Sequence, residues 1–236
     1  MFIDTLKRRW PEYLLEIGVI IVGITLSFLL NEWRADRSEA EAEIRALASL
    51  RDDLVADTTM ISNEIQQMDK FDSALNYMIR LYQKDAQANR DSILAALTAY
   101  ATYTTFNKNS TGYEQLKETG QLNIISNKAL LKSVVELYND KALVLKEYSY
   151  IDRSMVLEQF IPFLMKDATM FFVDNPMRKT KSGKALYEEL MEQKYFRNSL
   201  LVNRIFKSSI IQYYREYFND ASGLIEQIDI ELARLR

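Results

Sequence analysis

The sequence predicts an all-α protein: a single N-terminal transmembrane helix continuing into a long stalk helix, with an antiparallel helical bundle outside the membrane. Three observations carry this prediction. An uncharged run, Ile17 to Leu30, is bracketed by Trp10, Tyr13 and Trp33. A seven-residue apolar repeat follows it. Only six glycines and three prolines occur in 236 residues, and no glycine lies between Gly23 and Gly112.

The segment from Trp10 to Trp33 would span about 35 Å as a helix, enough for a hydrocarbon core of about 30 Å with aromatic side chains at both interfaces. A signal peptide would be shorter in its apolar part and followed by a small-x-small cleavage site. Leu29-Leu30-Asn31-Glu32-Trp33-Arg34 offers none. A buried helix of a soluble protein is the third reading, opposed by Lys7-Arg8-Arg9 and the paired tryptophans. Lys7, Arg8 and Arg9 cluster at the membrane edge, whereas Arg34, Arg37 and Arg45 are spread along the chain. That asymmetry favours a short cytoplasmic tail (1–12), a span at 13–33 and a periplasmic domain at 34–236, in a bacterial inner membrane.

After the span, Ala40, Leu47, Leu54, Ile61, Met68, Leu75 and Tyr82 recur every seven residues, with Ile44, Leu50, Ile65 and Phe71 between them. This is a narrow seam of the coiled-coil type on a stalk helix at 36–84, with Glu41, Glu43, Arg45, Arg51 and Asp52 on its other faces. Gln83 to Asn89 is a polar break, and Asp91 is the expected cap of a helix at 91–105. Thr111-Gly112-Tyr113-Glu114 fits a capping box opening a helix at 112–119, with Gly120 closing it. Ser126-Asn127 caps a helix at 128–161, which Pro162 should kink or restart. Asp174-Asn175-Pro176 reads as a stop and Arg178 to Lys181 as a basic solvated turn, the alternative being a site for an anionic partner. Helices at 185–192 and 195–235 follow, the last rich in Tyr and Phe for packing against the stalk.

Composition narrows the chemistry. The chain has no histidine and no cysteine, which removes Ser-His and Cys-His nucleophile pairs, zinc sites of those ligands and thiol redox chemistry. Ser182-Gly183-Lys184 lacks the upstream glycine and following Ser/Thr of a P-loop. Thirty basic against 33 acidic residues make no electrostatic case for nucleic acid. The expectation is a non-enzyme with no catalytic, cofactor or metal site.

Two stretches carry a resemblance. Tyr13-Leu14-Leu15-Glu16-Ile17, Gly23-Ile24 and Asn31-Glu32-Trp33 follow a YxxEI…GI…NxW pattern. Gly112-Tyr113-Glu114-Gln115-Leu116-Lys117-Glu118-Thr119-Gly120-Gln121-Leu122, continuing through Ile124-Ile125-Ser126-Asn127, is similar to a TYxxLKxSGxLxxIxN pattern. Gly112 stands where Thr is more usual and Thr119 where Ser is. Both resemble an uncharacterised family of small bacterial single-span membrane proteins, a domain of unknown function. The resemblance implies the topology and supplies no activity. Tyr113, Leu116, Gly120 and Leu122 form the family-like corner, readable from the residues as a packing wedge.

At 100° per residue, Glu16, Ile20, Gly23, Ser27, Asn31 and Arg34 share one face of the anchor. Gly23-x-x-x-Ser27 is a small-x-x-x-small approach, so this face suits another helix. Glu16 lies about a turn inside the membrane edge. It either snorkels to water, joins the helix contact, or couples ions as the lone acid of a motor stator subunit does. The functional expectation is a membrane-anchored scaffold or accessory subunit, bound to the bilayer and to a second copy or another membrane protein through this face and the seam of Leu47, Leu54, Ile61, Met68 and Leu75. The alternative is an extracytoplasmic ligand sensor signalling through a partner protein, since only about a dozen residues would lie inside.

Overall fold

The computed structural model describes residues 2–84, 86–167 and 182–236, and among them all regular structure is helical. Helix α1 runs unbroken from Phe2 to Tyr82, 81 residues or about 120 Å. The apolar run and the seven-residue seam are therefore on one helix, as expected of a stretch with no glycine after Gly23 and no proline after Pro11. α2 is Arg90–Tyr100, α3 is Thr111–Glu118 and a 3₁₀ turn covers Gln121–Ile124. α4 is a continuous helical run, α-helical at Lys128–Val135, Ala142–Met155 and Ile161–Asp167, with π turns at Glu136–Lys141 and Val156–Phe160. α5 is Gly183–Glu192 and α6 is Lys194–Leu235.

α1 and α6 run antiparallel, as their cross-links show. Arg51 Nε donates to Asp229 at 2.6 Å, the Tyr217 hydroxyl to Asp57 at 3.1 Å, Arg215 to Asp69 at 2.7 Å and Ser208 to Asp72 at 3.0 Å. Two apolar clusters follow one another along the pair. The first joins Leu47, Leu54, Ile61 and Met68 of α1 to Tyr113 and Leu116 of α3, Val134 and Leu145 of α4, and Tyr214, Tyr217 and Ile228 of α6. The second joins Leu75 and Met78 to Ile93 and Tyr100 of α2, Val156 and Phe160 of α4, Leu186 of α5, and Phe196 and Leu200 of α6. Tyr195, Phe206, Tyr213 and Phe218 lie at the edges of this interface, half-buried or exposed.

Several boundaries differ from the sequence reading, each for a tertiary reason. α2 stops at Tyr100 and not near 105, because the next backbone groups are captured elsewhere: Lys207 Nζ donates to the Thr102 carbonyl at 2.6 Å and the Thr104 N–H donates to Asp152 at 3.1 Å. Its cap is Asn89, whose side chain accepts the Ser92 N–H at 3.0 Å, and not Asp91. Thr111 is the first helical residue of α3, so the expected capping box does not form: the Gly112 N–H goes to Asp53 at 2.8 Å, and Glu114 turns to Lys108 at 3.6 Å. Pro162 neither ends nor restarts α4. The π turn just before it widens the helix where the proline ring would crowd the carbonyl of residue 158 and leave it without a donor. Asn127 caps α4 by accepting the Leu130 N–H at 3.1 Å. The stop at 174–176 and the basic turn at 178–181 lie outside the described residues.

Candidate functional site

From Leu15 to Glu39 every residue of α1 is exposed. Eleven of the sixteen residues from Leu15 to Leu30 are Leu, Ile, Val or Phe, and all eleven are 51–70% exposed. It is the one described helix long and apolar enough to cross a membrane, a property of length and composition. Glu16, Ile20, Gly23, Ser27, Asn31 and Arg34 are likewise exposed, and a Cβ built on Gly23 meets nothing within 4 Å. The Ser27 hydroxyl donates back to the Gly23 carbonyl and that of Thr25 to Ile21, both at 2.8 Å. Both hydroxyls are thus satisfied within the helix, as those of Thr59, Ser73 and Ser209 are elsewhere in the fold. Beyond the run, Arg37 stands 5.8 Å over the Trp33 ring and pairs with Glu41 at 3.2 Å.

The stalk seam behaves differently. Leu47, Leu54, Ile61, Met68 and Leu75 are all buried, covered by this chain's own helices. Tyr82 alone continues the line into solvent at the far end. In this fold the seam is not open to a neighbouring chain.

Sequence reasoning missed a set of carboxylates that hold the irregular segment between α2 and α4. Glu43 lies off the seam, yet it is buried and accepts from the Ser126 N–H at 2.7 Å and the Ser126 hydroxyl at 2.8 Å. Asp57 is fully buried and accepts the Asn109 N–H at 2.6 Å, the Asn109 amide at 2.9 Å and the Tyr217 hydroxyl. With Asp53 on Gly112 and Asp152 on Thr104, four acids, three on α1 and one on α4, each receive a backbone N–H from the segment. The signal was available: three residues after each seam position the register continues through Glu43, Leu50, Asp57, Glu64, Phe71 and Met78. An acid on an apolar line needs a buried donor.

Burial raises the Asp57 carboxyl above the usual aspartate range, against the opposing pull of its Asn109 and Tyr217 hydrogen bonds, and neighbouring Asp53 adds to the rise. A raised folded value means folding takes up a proton. Asp57 therefore favours folding most below the ordinary aspartate pKa, and that advantage is lost as pH rises through the folded value. Glu231 works the other way. The Asn127 amide, at 2.8 Å, and Arg234 hold it below the glutamate range, so its contribution is present above that range and disappears as pH falls. The expected result is that wild-type stability relative to Asp57→Asn falls as pH rises through this window and is level above it. Paired urea melts between about pH 4 and 7 measure it; a pH-independent difference rejects the assignment.

The family-like corner is placed against α1. Tyr113 and Leu116 are buried, Leu122 is half-buried, and Gly120 is exposed with φ +68°, the left-handed conformation that suits glycine after a helix end. Tyr113 stacks on Tyr138 of α4 at 4.6 Å and 8°. Beside this stack lies an open cleft of about 460 Å³ between the 106–110 segment, α3 and α4, with Lys108, Lys117 and Lys146 in its lining. Among the described residues, no group of three or more acidic side chains is placed to hold a metal ion.

Ser182-Gly183-Lys184 has a packing role. Ser182 caps α5 by accepting the Ala185 N–H, and a Cβ on Gly183 would fall 2.5 Å from the Ala88 carbonyl oxygen and 2.8 Å from the Arg90 nitrogen. Backbone cannot yield as a side chain can. Gly183→Val should therefore cost about 1–3 kcal/mol, the usual range for overpacking, read as a lowered melting temperature. Unchanged melting would show that α5 does not dock this closely.

Comparison of the chain with models of protein families, with curated proteins and with solved structures returns no match.

Proposed function

We propose that this chain is a membrane-anchored helical scaffold or accessory subunit, with residues 13–33 in the bilayer, the short N-terminal tail cytoplasmic and an antiparallel helical bundle on the periplasmic side. The observation that carries the reading is the contrast along α1. One apolar stretch is entirely exposed, while the apolar seam on the same helix is entirely covered. A fold that buries Leu47 through Leu75 yet leaves eleven large apolar side chains in the open needs lipid or protein around them. Because the seam is occupied, association is assigned to the anchor face of Glu16, Ile20, Gly23, Ser27, Asn31 and Arg34. The outward side of α4, where Leu143, Tyr150 and Leu157 recur exposed at seven-residue spacing, offers a further surface.

The absence of native cysteine makes the test direct. Single cysteines at Ile20 and Ser27 lie on the association face; at Ile21 and Leu29 they lie on the other side of the helix. Oxidation in membranes should give disulfide dimers from the first pair and not the second. Monomer from all four variants removes the self-association part of the proposal.

A second reading, a sensor that signals through a partner protein, has the lysine-lined cleft in its favour. The segment carrying Lys108 is clipped to α1 through Asn109 on Asp57 and Gly112 on Asp53. A shift in the cleft would thus reach the helix that enters the membrane.

A further inference from the structure

We infer that the cleft beside the Tyr113–Tyr138 stack binds a compact, multiply charged oxyanion, of the phosphate or polycarboxylate kind, from solution. This deepens the sensor reading, although binding itself does not depend on any signal being sent. The cleft volume of about 460 Å³ is ordinary for a small-molecule site. Its lining holds three ammonium groups, on Lys108, Lys117 and Lys146, against one carboxylate, on Glu114. That local excess runs against a chain whose formal net charge is −3.

The ammonium groups are partly fixed in place. Lys108 Nζ donates to the Tyr138 carbonyl at 3.0 Å and lies 5.3 Å and 5.8 Å from the centres of the Tyr138 and Tyr113 rings. Lys117 Nζ stands 5.8 Å from the same Tyr113 ring. Two like charges are gathered on one ring, and Glu114 at 3.6 Å balances only the first. Among the described residues neither Lys117 nor Lys146 has an ion-pair partner. Asn107 and Asn139 add amide donors to the lining. Lysine binds phosphate-type oxyanions as a point charge, without the fixed fork of arginine. Two unpaired lysines and a third shared with Glu114 line one cleft, an excess of charge that one oxyanion would balance.

A lipid headgroup has the same chemistry but the wrong position. The 108–112 segment is fastened to Asp53 and Asp57, twenty or more residues beyond Trp33, which is about 30 Å further along α1. A dissolved anion is the occupant the geometry favours.

The test uses the full chain in nanodiscs of neutral lipid, melted with increasing pyrophosphate or citrate against chloride of matched ionic strength. The melting temperature should rise with either oxyanion beyond the chloride control. In Lys117→Gln/Lys146→Gln the apparent Kd should weaken at least tenfold, while Lys184→Gln, at an exposed lysine on α5, should respond as wild type. The double variant should melt normally without anion, because both side chains are exposed. No rise beyond chloride, an equal rise in the double variant, or a rise only when anionic lipid is present would each overturn the inference. None of these results bears on the cysteine crosslinks, so this site and the scaffold proposal fail separately.

Discussion

Replacing Lys207 by methionine is expected to remove about 3–5 kcal/mol of folding stability, the range for leaving one member of a buried ion pair alone. Lys207 and Asp152 are 6% and 3% exposed and meet at 2.8 Å and 3.1 Å. The lysine also donates to the Thr102 carbonyl, and the aspartate also accepts the Thr104 N–H. Burial pulls the Lys207 ammonium below the usual lysine range, and Asp152 works against that pull. In Lys207→Met, the Asp152 charge keeps one backbone donor and no counter-charge, and the Thr102 carbonyl loses its donor. Lys207→Met/Asp152→Leu removes both charges and should recover much of the loss, since buried pairs exchange for apolar side chains at little net cost. Urea melts of the full chain in detergent give both numbers. A single variant as stable as wild type would mean that water or another donor meets the Asp152 carboxylate once the lysine is gone.

That pair also separates what the sequence reveals from what it conceals. The seven-residue line through Leu47, Leu54, Ile61, Met68 and Leu75 was legible, and its residues are buried as the pattern requires. The pattern could not say what covers them. A period of seven records that one face is dry; a neighbouring chain or this chain's own α6 satisfies it equally. Asp152 and Lys207 each sit on the inward three-four line of their helices, with Leu145 and Val156 flanking the first and Leu200 and Ile211 the second. The sequence alone does not pair them, because they lie 55 positions apart. The end of α2 was illegible for a related reason. Nothing from Ala101 to Thr105 is glycine or proline, and the helix stops because side chains from α4 and α6 claim the backbone groups that would continue it. The lysine cleft was missed because its three cations come from the 106–110 segment, α3 and α4.

Deleting residues 1–36 is expected to transfer the chain from the membrane to the aqueous fraction with its fold retained. Eleven apolar residues between Leu15 and Leu30, at about −0.3 to −0.6 kcal/mol each on the insertion scale, favour the bilayer by roughly 3–7 kcal/mol. Packing within the described protein does not compete for the eleven, since none of them is buried; only the polar residues interspersed with them, Glu16 above all, subtract from that total. From Leu15 to Asp36 the deletion removes no buried side chain. Beyond Leu15 the first buried residue is Glu43, followed by Ala46 and Leu47, and the carboxylate clips at Glu43, Asp53 and Asp57 all remain. The truncated chain should therefore keep its far-UV signal less the lost helix, and its urea midpoint should match the full chain's. Retention in carbonate-washed membranes would place the membrane contact elsewhere on the protein. A soluble but unfolded product would mean that the exposed stretch of α1 stabilises a core it does not touch. Recovery of the folded truncation from the aqueous fraction, with the full chain held in membranes, is the result that the contrast between the bare and covered parts of α1 requires.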